Sequence, residues 1–169
     1  MLHSMSVHAH RQHGATSVGC GVITVSDTRT PETDTSGRTI RALLEGADHR
    51  VEWYQVLKDE PELIAQAIRE VPAAVEVVIM NGGTGVARRD TTYEALVRLL
   101  DKEISGFGEL FRMLSYEQIG AAAMLSRATA GVAGSRVIFS LPGSTAAVEL
   151  AMTKLILPEL GHVVGLVRP

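Results

Sequence analysis

The chain has 169 residues, 46% of them hydrophobic and 21% charged, with a formal net charge of −3. Such a length fits one domain, which buries roughly 70% of its unfolded surface around a real core, and the slightly acidic balance argues against a nucleic-acid partner. Cys20 is the only cysteine, which excludes an intrachain disulfide and a cysteine-based zinc site and leaves it as a small core residue.

Residues 1–17 read as a flexible N-terminal tail. His3, His8, His10 and His13 lie there among Ser, Gln and Gly, and no apolar run is long enough for a signal peptide or a membrane span. Without a rigid surrounding shell such histidines take up metal only adventitiously. A cytoplasmic protein with no membrane partner is expected. Residues 18–169 form the single domain, in which strand and helix signals alternate, predicting α/β with a mainly parallel sheet between helical layers.

The first strand is predicted over residues 18–25. A polar loop follows, then a helix over 36–47 in which Ile40, Leu43, Leu44 and Ala47 recur at helical spacing. Residues 51–57 make a second strand. Asp59, Glu60 and Pro61 open a helix whose stripe is Leu63, Ile64, Ala67, Ile68 and Val71, and residues 75–80 are a fully buried third strand. Tyr93, Leu96, Val97, Leu100 and Ile104 predict a further helix, opened by Thr91 and Glu94 at capping-box spacing. Another helix after Gly106 carries Leu110, Phe111, Leu114 and Ile119. Residues 128–132 and 136–141 read as a hairpin. The last helix carries Val148, Ala151, Met152, Leu155 and Ile156.

In such a sheet the loops after the strands gather at one edge, and ligands bind where the strand order reverses. Residues 26–37, 58–60, 81–90 and 142–144 are the polar loops so placed. The most informative is Asn81, Gly82, Gly83, Thr84, Gly85, followed by Arg88, Arg89 and Asp90: a buried strand opening into a glycine-rich turn before a helix. Glycines permit positive φ and a close backbone approach, and a helix start adds free N–H donors, so this loop reads as a phosphate cradle rather than a turn alone. It is not a P-loop, since no Lys then Ser or Thr follows. Nor is it the dinucleotide fingerprint, since the pattern from Gly83 ends in Arg88.

Asp59 and Asp90 each have a simple structural reading, as carboxylates favoured ahead of a helix. Taken together beside a triphosphate they would repel it by about 3 kcal/mol per charge pair at ~5 Å and an effective dielectric near 20. Mg²⁺ between them removes the conflict, which points to ATP with magnesium. Ser26, Asp27, Asp34 and Ser36 line the first loop, where Ser36 is expected to serve mainly as an N-cap; Ser144 is open to either role. Arg127 is either an anion ligand or a surface arginine. No GxSxG elbow is present, and His49 and His162 have no nucleophile to serve.

Ser26 and Asp27, residues 34–37, the block from Asn81 to Asp90, residues 106–109, Ser126 and Arg127, and residues 141–144 together resemble the MoaB/MogA family of molybdenum cofactor biosynthesis, over nearly all of residues 18–167 and closer to the MoaB branch. The resemblance implies a three-layer α/β/α fold, a homotrimer or homohexamer, and adenylylation of molybdopterin by MgATP with release of pyrophosphate. It implies that Asp59 and Asp90 are catalytic and hold the metal, and that Gly82, Gly83, Thr84 and Gly85 hold nucleotide phosphates with Arg89. Ser26 and Asp27 belong to the same ligand site by this matching. Ser126, Arg127, Pro142, Gly143 and Ser144 fall on the pterin side, and the molybdenum-insertion protein of the pathway is an implied partner. The attacking phosphate of molybdopterin is already ionised near neutral pH, which agrees with the lack of a strong general base. Two other readings compete: a non-catalytic molybdopterin-binding scaffold or carrier, and a regulatory nucleotide-binding module unrelated to pterin.

Overall fold

The buried strand runs pair into a six-stranded sheet of order β2-β1-β3-β6-β5-β4. In this computed structural model, residues 15–168 are described. The strands are β1 (Gly19–Val25), β2 (Arg50–Leu57), β3 (Val77–Asn81), β4 (Lys102–Glu103), β5 (Thr129–Ala133) and β6 (Arg136–Leu141). The helices are α1 (Thr35–Gly46), α2 (Pro61–Arg69), α3 (Thr92–Val97), α4 (Ser105–Ile119), α5 (Thr145–Ala151) and α6 (Leu157–Val167). A 3₁₀ segment, Gly120–Leu125, follows α4, and a π-helical turn, Met152–Ile156, joins α5 to α6.

The expected mainly parallel sheet is present: β2, β1, β3 and β6 run parallel, and β5 and β4 extend the sheet antiparallel. Alternation along the strands divides the core into two layers. On one face Val22, Ile79 and Phe139 pack with Ile40 of α1, Phe111 of α4, Val148 of α5 and Leu160 of α6. On the other, Ile23, Met80 and Ile138 meet Ile64 of α2 and Leu96 of α3. The result is a three-layer α/β/α sandwich. Cys20 is fully buried, and burial, with Glu76 adding to it, pushes its thiol up to about 12, so it is a core residue as expected.

The chain steps from β1 outward to β2 and then returns past β1 to β3, so the strand order reverses between β1 and β3. All four parallel strands end on one edge there, which is where the ligand-binding crevice of such sheets lies. The edge is drawn together by its own backbone. Ser26 N–H donates to the Leu57 carbonyl (2.8 Å), and Gly82 N–H donates to the Leu141 carbonyl (2.9 Å).

Two local expectations are corrected. The helix expected through Ile104 stops at Val97, because Asp101 and Ile104 donate their N–H groups to Val132 and Ala130 instead, at 2.8 and 2.7 Å, and β4 forms against β5. The N-cap of α1 is Asp34, not Ser36: its Oδ1 accepts from Gly37 N–H at 2.9 Å. The expected hairpin and last helix form. The run Thr145–Val167 is long and apolar enough by composition to cross a membrane (mean hydropathy 1.4), yet Val148, Ile156 and Leu160 on it are wholly buried against the sheet, as in a core helix. Of the expected tail, residues 1–14 with His3, His8, His10 and His13 lie outside the described residues; Ala15 N–H donates to the Gly161 carbonyl and Ser17 donates to the Asp48 carbonyl.

Candidate functional site

The glycine loop leaves β3 with positive φ at Gly82 (102°) and Gly83 (65°), a turn that a side chain would oppose. A Cβ on Gly82 would lie 2.0 Å from the Val25 carbonyl oxygen, and one on Gly83 2.4 Å from Asp59 Oδ2. The glycines thus let the loop press against β1 on one side and against the Asp59 carboxylate on the other. Gly82 N–H is used within the sheet edge, but among the described residues the N–H groups of Gly83, Thr84 and Gly85 donate to no protein acceptor. Thr84 itself is buried, and its carbonyl accepts from Arg127 N–H at 3.1 Å.

Asp59 precedes α2 but does not cap it. Its Oδ1 reaches across to accept from Thr91 N–H (3.1 Å) and the Thr91 hydroxyl (2.7 Å), at the start of α3. Asp90 closes the glycine loop on itself, Oδ2 accepting from Ala87 N–H at 3.0 Å, and the same oxygen would lie 2.7 Å from a Cβ on Gly85. The two carboxylates therefore touch the glycine loop two residues apart, Asp59 at Gly83 and Asp90 at Gly85. The expected Thr91 and Glu94 capping box is not made, because Thr91 is engaged by Asp59 and Glu94 by Arg127.

Arg127 is held on three sides: Nε donates to the Gly85 carbonyl (2.9 Å), Nη2 to the Asp90 carbonyl (3.1 Å), and Nη1 pairs with Glu94, whose carboxyl it keeps below the usual range. Its guanidinium lies 5.1 Å from the Tyr93 ring centroid. This residue is the wall between two clefts. One, of about 460 Å³, is bounded by Arg88, Asp90, Glu94 and Arg98; the other, of about 290 Å³, by Tyr93, Glu103, Arg112 and Ser126.

Arg89 reaches the other way and forms an ion pair with Asp27, whose Oδ1 accepts from Asp59 N–H at 3.3 Å. Ser26 is turned into its own loop, where its hydroxyl accepts from Thr28 and Arg29 N–H. Ser126 accepts from Ala128 N–H. Gly143 backs the glycine loop, with the position of its missing Cβ 3.3 Å from Gly82 Cα; Pro142 lies beside it, and Ser144 caps α5 by accepting from Ala147 N–H at 3.3 Å. Thus Asp59 meets the glycine loop at Gly83 and Asp90 meets it at Gly85, Asp27 and Arg89 join through Asp59, and Ser126 sits with Arg127 at the adjoining cleft.

Beneath the loop lies a buried polar ring that sequence reasoning missed. Asn81 donates to Thr24 (2.8 Å), Thr24 to Asp34 Oδ2 (2.5 Å), and Ser36 to Asn81 Oδ1 (2.9 Å). Tyr54 adds a donation to Asp34 at 2.8 Å. Burial works to raise the Asp34 pKa, but hydrogen bonds from Thr24, Gly37 N–H, Tyr54 and Ser36 outweigh it and hold the carboxyl below its ordinary value. Burial and the Asp34 carboxylate push the Tyr54 hydroxyl up to about 12. The available signal was a polar residue inside each apolar strand run, Thr24 in β1 and Asn81 in β3.

The donor set suits a hard, octahedral cation. Among the described residues no group of three or more His, Cys, Asp or Glu is arranged around a metal position, so a cation held by Asp59 and Asp90 would take its other ligands from phosphate and water. Neither Oδ2 of Asp59 nor Oδ1 of Asp90 accepts a hydrogen bond from a described residue. Mg²⁺ is commonly held in this way, by one or two carboxylates with substrate phosphate oxygens and water completing the shell.

A family model described as "Probable molybdopterin binding domain" matches residues 21–162. The molybdenum cofactor biosynthesis protein B of Bacillus cereus is 55% identical over 162 residues, covering 94% of this chain and 96% of that protein. A crystal structure of a molybdenum cofactor biosynthesis protein B superposes with a TM-score of 0.88 at 55% identity, over 90% of this chain and 98% of that one. A solved MogA superposes with a TM-score of 0.81 at 30% identity, over 88% and 99%. With the family match, the identity and the fold in agreement, this chain belongs to the MoaB/MogA family of molybdenum cofactor biosynthesis, on its MoaB side.

Proposed function

We propose that this chain transfers the adenylyl group of ATP to molybdopterin, in the cytoplasm, giving adenylyl-molybdopterin and pyrophosphate. The observation that carries the reading is the glycine loop, touched by Asp59 at Gly83 and by Asp90 at Gly85 and held by Arg127, which lines two adjoining clefts. A two-substrate transfer needs such a junction, where one phosphate is presented to another. The terminal phosphate of molybdopterin supplies the attacking oxygen, already ionised. A bond forms from that oxygen to the α-phosphorus of ATP, and the bond from the α-phosphorus to pyrophosphate breaks. No proton has to be removed.

The chain's own work is therefore positioning and charge balance. The free N–H groups of Gly83, Thr84 and Gly85 receive phosphate oxygens, and Arg89 and Arg88 offset charge on the departing pyrophosphate. Asp59 and Asp90 would hold Mg²⁺, which when bound neutralises phosphate charge. Arg127, fixed by Gly85 and Asp90, orients the loop and borders the pterin side with Ser126. Gly143 and Pro142 support the loop from behind. A carrier has no use for two carboxylates on a phosphate loop, which favours the enzyme.

The chain is further proposed to act as a homotrimer or homohexamer and to pass its product to the molybdenum-insertion protein. An apolar strip on α4 and the 3₁₀ segment supports the assembly: Leu110, Met113, Tyr116, Ile119, Met124 and Leu125 are all exposed in the single chain.

The test is incubation with molybdopterin, MgATP and pyrophosphatase, followed by mass spectrometry. Adenylyl-molybdopterin forms with the wild type and is lost in Asp90→Asn. Tight molybdopterin binding without product would overturn the enzyme in favour of a carrier.

A further inference from the structure

Arg89 lies four residues past Gly85, and its side chain is 70% exposed. In the ligand-free chain it is taken by Asp27. Asp27 in turn is tied to the floor of the crevice, because its Oδ1 accepts from Asp59 N–H at 3.3 Å while its Oδ2 faces Arg89. A carboxylate thus occupies, on the cation, the place that an incoming phosphate oxygen would take.

We infer that Asp27 is an internal counter-ion which makes the phosphate cradle select metal-complexed phosphates over bare ones. The inference rests on the phosphate-cradle reading of this loop. An arriving phosphate has to displace Asp27 from Arg89, leaving a third carboxylate uncompensated beside Asp59 and Asp90. A ligand that brings Mg²⁺ offsets that charge; inorganic phosphate or metal-free pyrophosphate does not. The stray anions of the cell are therefore rejected by repulsion rather than by shape, a specificity that lies in the cost imposed on the wrong ligand. The same arrangement couples the loops at residues 26–37, 58–60 and 81–90, since Asp27 touches the other two.

The experiment measures pyrophosphate binding by calorimetry, once with Mg²⁺ and once with EDTA, in wild type, Asp27→Asn and Arg89→Ala. Asparagine keeps an acceptor for Asp59 N–H and removes only the charge. Expected for Asp27→Asn is metal-free pyrophosphate bound about three- to fivefold more tightly, the range of an exposed ion pair, with the magnesium complex changed little. The gain should shrink as salt is raised and persist in the double variant, judged against Arg89→Ala alone, where Asp27 has no cation to neutralise it. Weakened binding of the magnesium complex with metal-free binding unchanged would make Asp27 a metal ligand and overturn the counter-ion. Unchanged binding of both forms would overturn it while leaving the cradle standing. If neither protein binds pyrophosphate in either form, the cradle reading fails and this inference with it.

Discussion

Asp59 divides its two oxygens. Oδ1 takes the N–H and hydroxyl of Thr91, at 3.1 and 2.7 Å, while Oδ2 lies over Gly83. Asparagine preserves an acceptor for Thr91 and removes the charge, so Asp59→Asn should unfold within about 0.5 kcal/mol of wild type. Adenylyl transfer should fall about a hundredfold or more. Product yield measured beside urea unfolding checks both, and turnover near wild type would remove the metal from this position. Gly83 probes the same oxygen from the other side. Its Cβ would stand 2.1 Å from Thr92 Oγ1 and 2.4 Å from Asp59 Oδ2, at φ +65°. Gly120 has nearly the same φ, +62°, with nothing within 4 Å. Both alanine variants should lose about 1–3 kcal/mol to backbone strain, but only Gly83→Ala displaces Asp59 and should lose transfer. Equal activity in the two would show that crowding at Asp59 does not matter.

The β1–α1 connection owes its shape to the ring of Thr24, Asp34, Ser36 and Asn81, which fastens the start of α1 to the strand that opens the glycine loop. Asp34 is held below its ordinary 3.8, so near and below that pH the unfolded chain binds more protons there than the folded one. The carboxylate's contribution is complete above about pH 4 and is lost as pH falls through the folded value. Asp34→Asn should therefore cost about 1–3 kcal/mol at pH 7 by leaving buried donors poorly matched. The gap from wild type should narrow as urea titrations are taken below pH 3.8; a gap constant down to pH 2 would refute the assignment. The same element shows what could be read in advance. β1, β3 and β6 were legible because their residues are apolar on both faces, and the glycine loop because its glycines fall directly after a buried strand. Capping was not: Asp34 and Ser36 are both good caps, and only the hydroxyls of Thr24 and Tyr54, far away in sequence, decide between them. The end of α3 was hidden for a related reason. Leu100 and Ile104 keep helical spacing, but Gly131 opens room for Leu100 and the Lys102 carbonyl, and pairing with β5 wins over the local pattern. Asp59 and Asp90 could be picked out as carboxylates near the glycine loop, whereas the reach of Asp59 to Thr91 is a property of the folded edge alone.

At the scale of the whole molecule, the site edge is polar and closed by ion pairs, while α4 presents Leu110, Met113, Tyr116 and Ile119 to solvent on the side away from Phe107 and Phe111. An apolar hollow of about 400 Å³ lies beside Leu110, between Phe107, Leu155 and Val163, and the 3₁₀ segment adds Met124, 76% exposed. A single chain leaves these side chains in water, where each forgoes about 1.5–3 kcal/mol available from full burial. Association of identical chains would recover that energy, and the strip adjoins the cleft of Ser126 and Arg127, which Met124 also borders, so that assembly and cleft would be linked. Light scattering should accordingly give a mass that is a multiple of 18.1 kDa at micromolar concentration. Two carboxylates buried in the interface would cost several kcal/mol each after relaxation, so Met113→Glu with Tyr116→Glu should yield the folded monomer. Because both positions are exposed in the isolated chain, its helical circular dichroism should be retained. A wild type that is monomeric, or a double variant that still assembles, would show that α4 is not the surface at which the copies meet. If the monomer forms and adenylyl transfer falls with it, the link between strip and cleft is established; if transfer is unchanged, assembly serves stability alone.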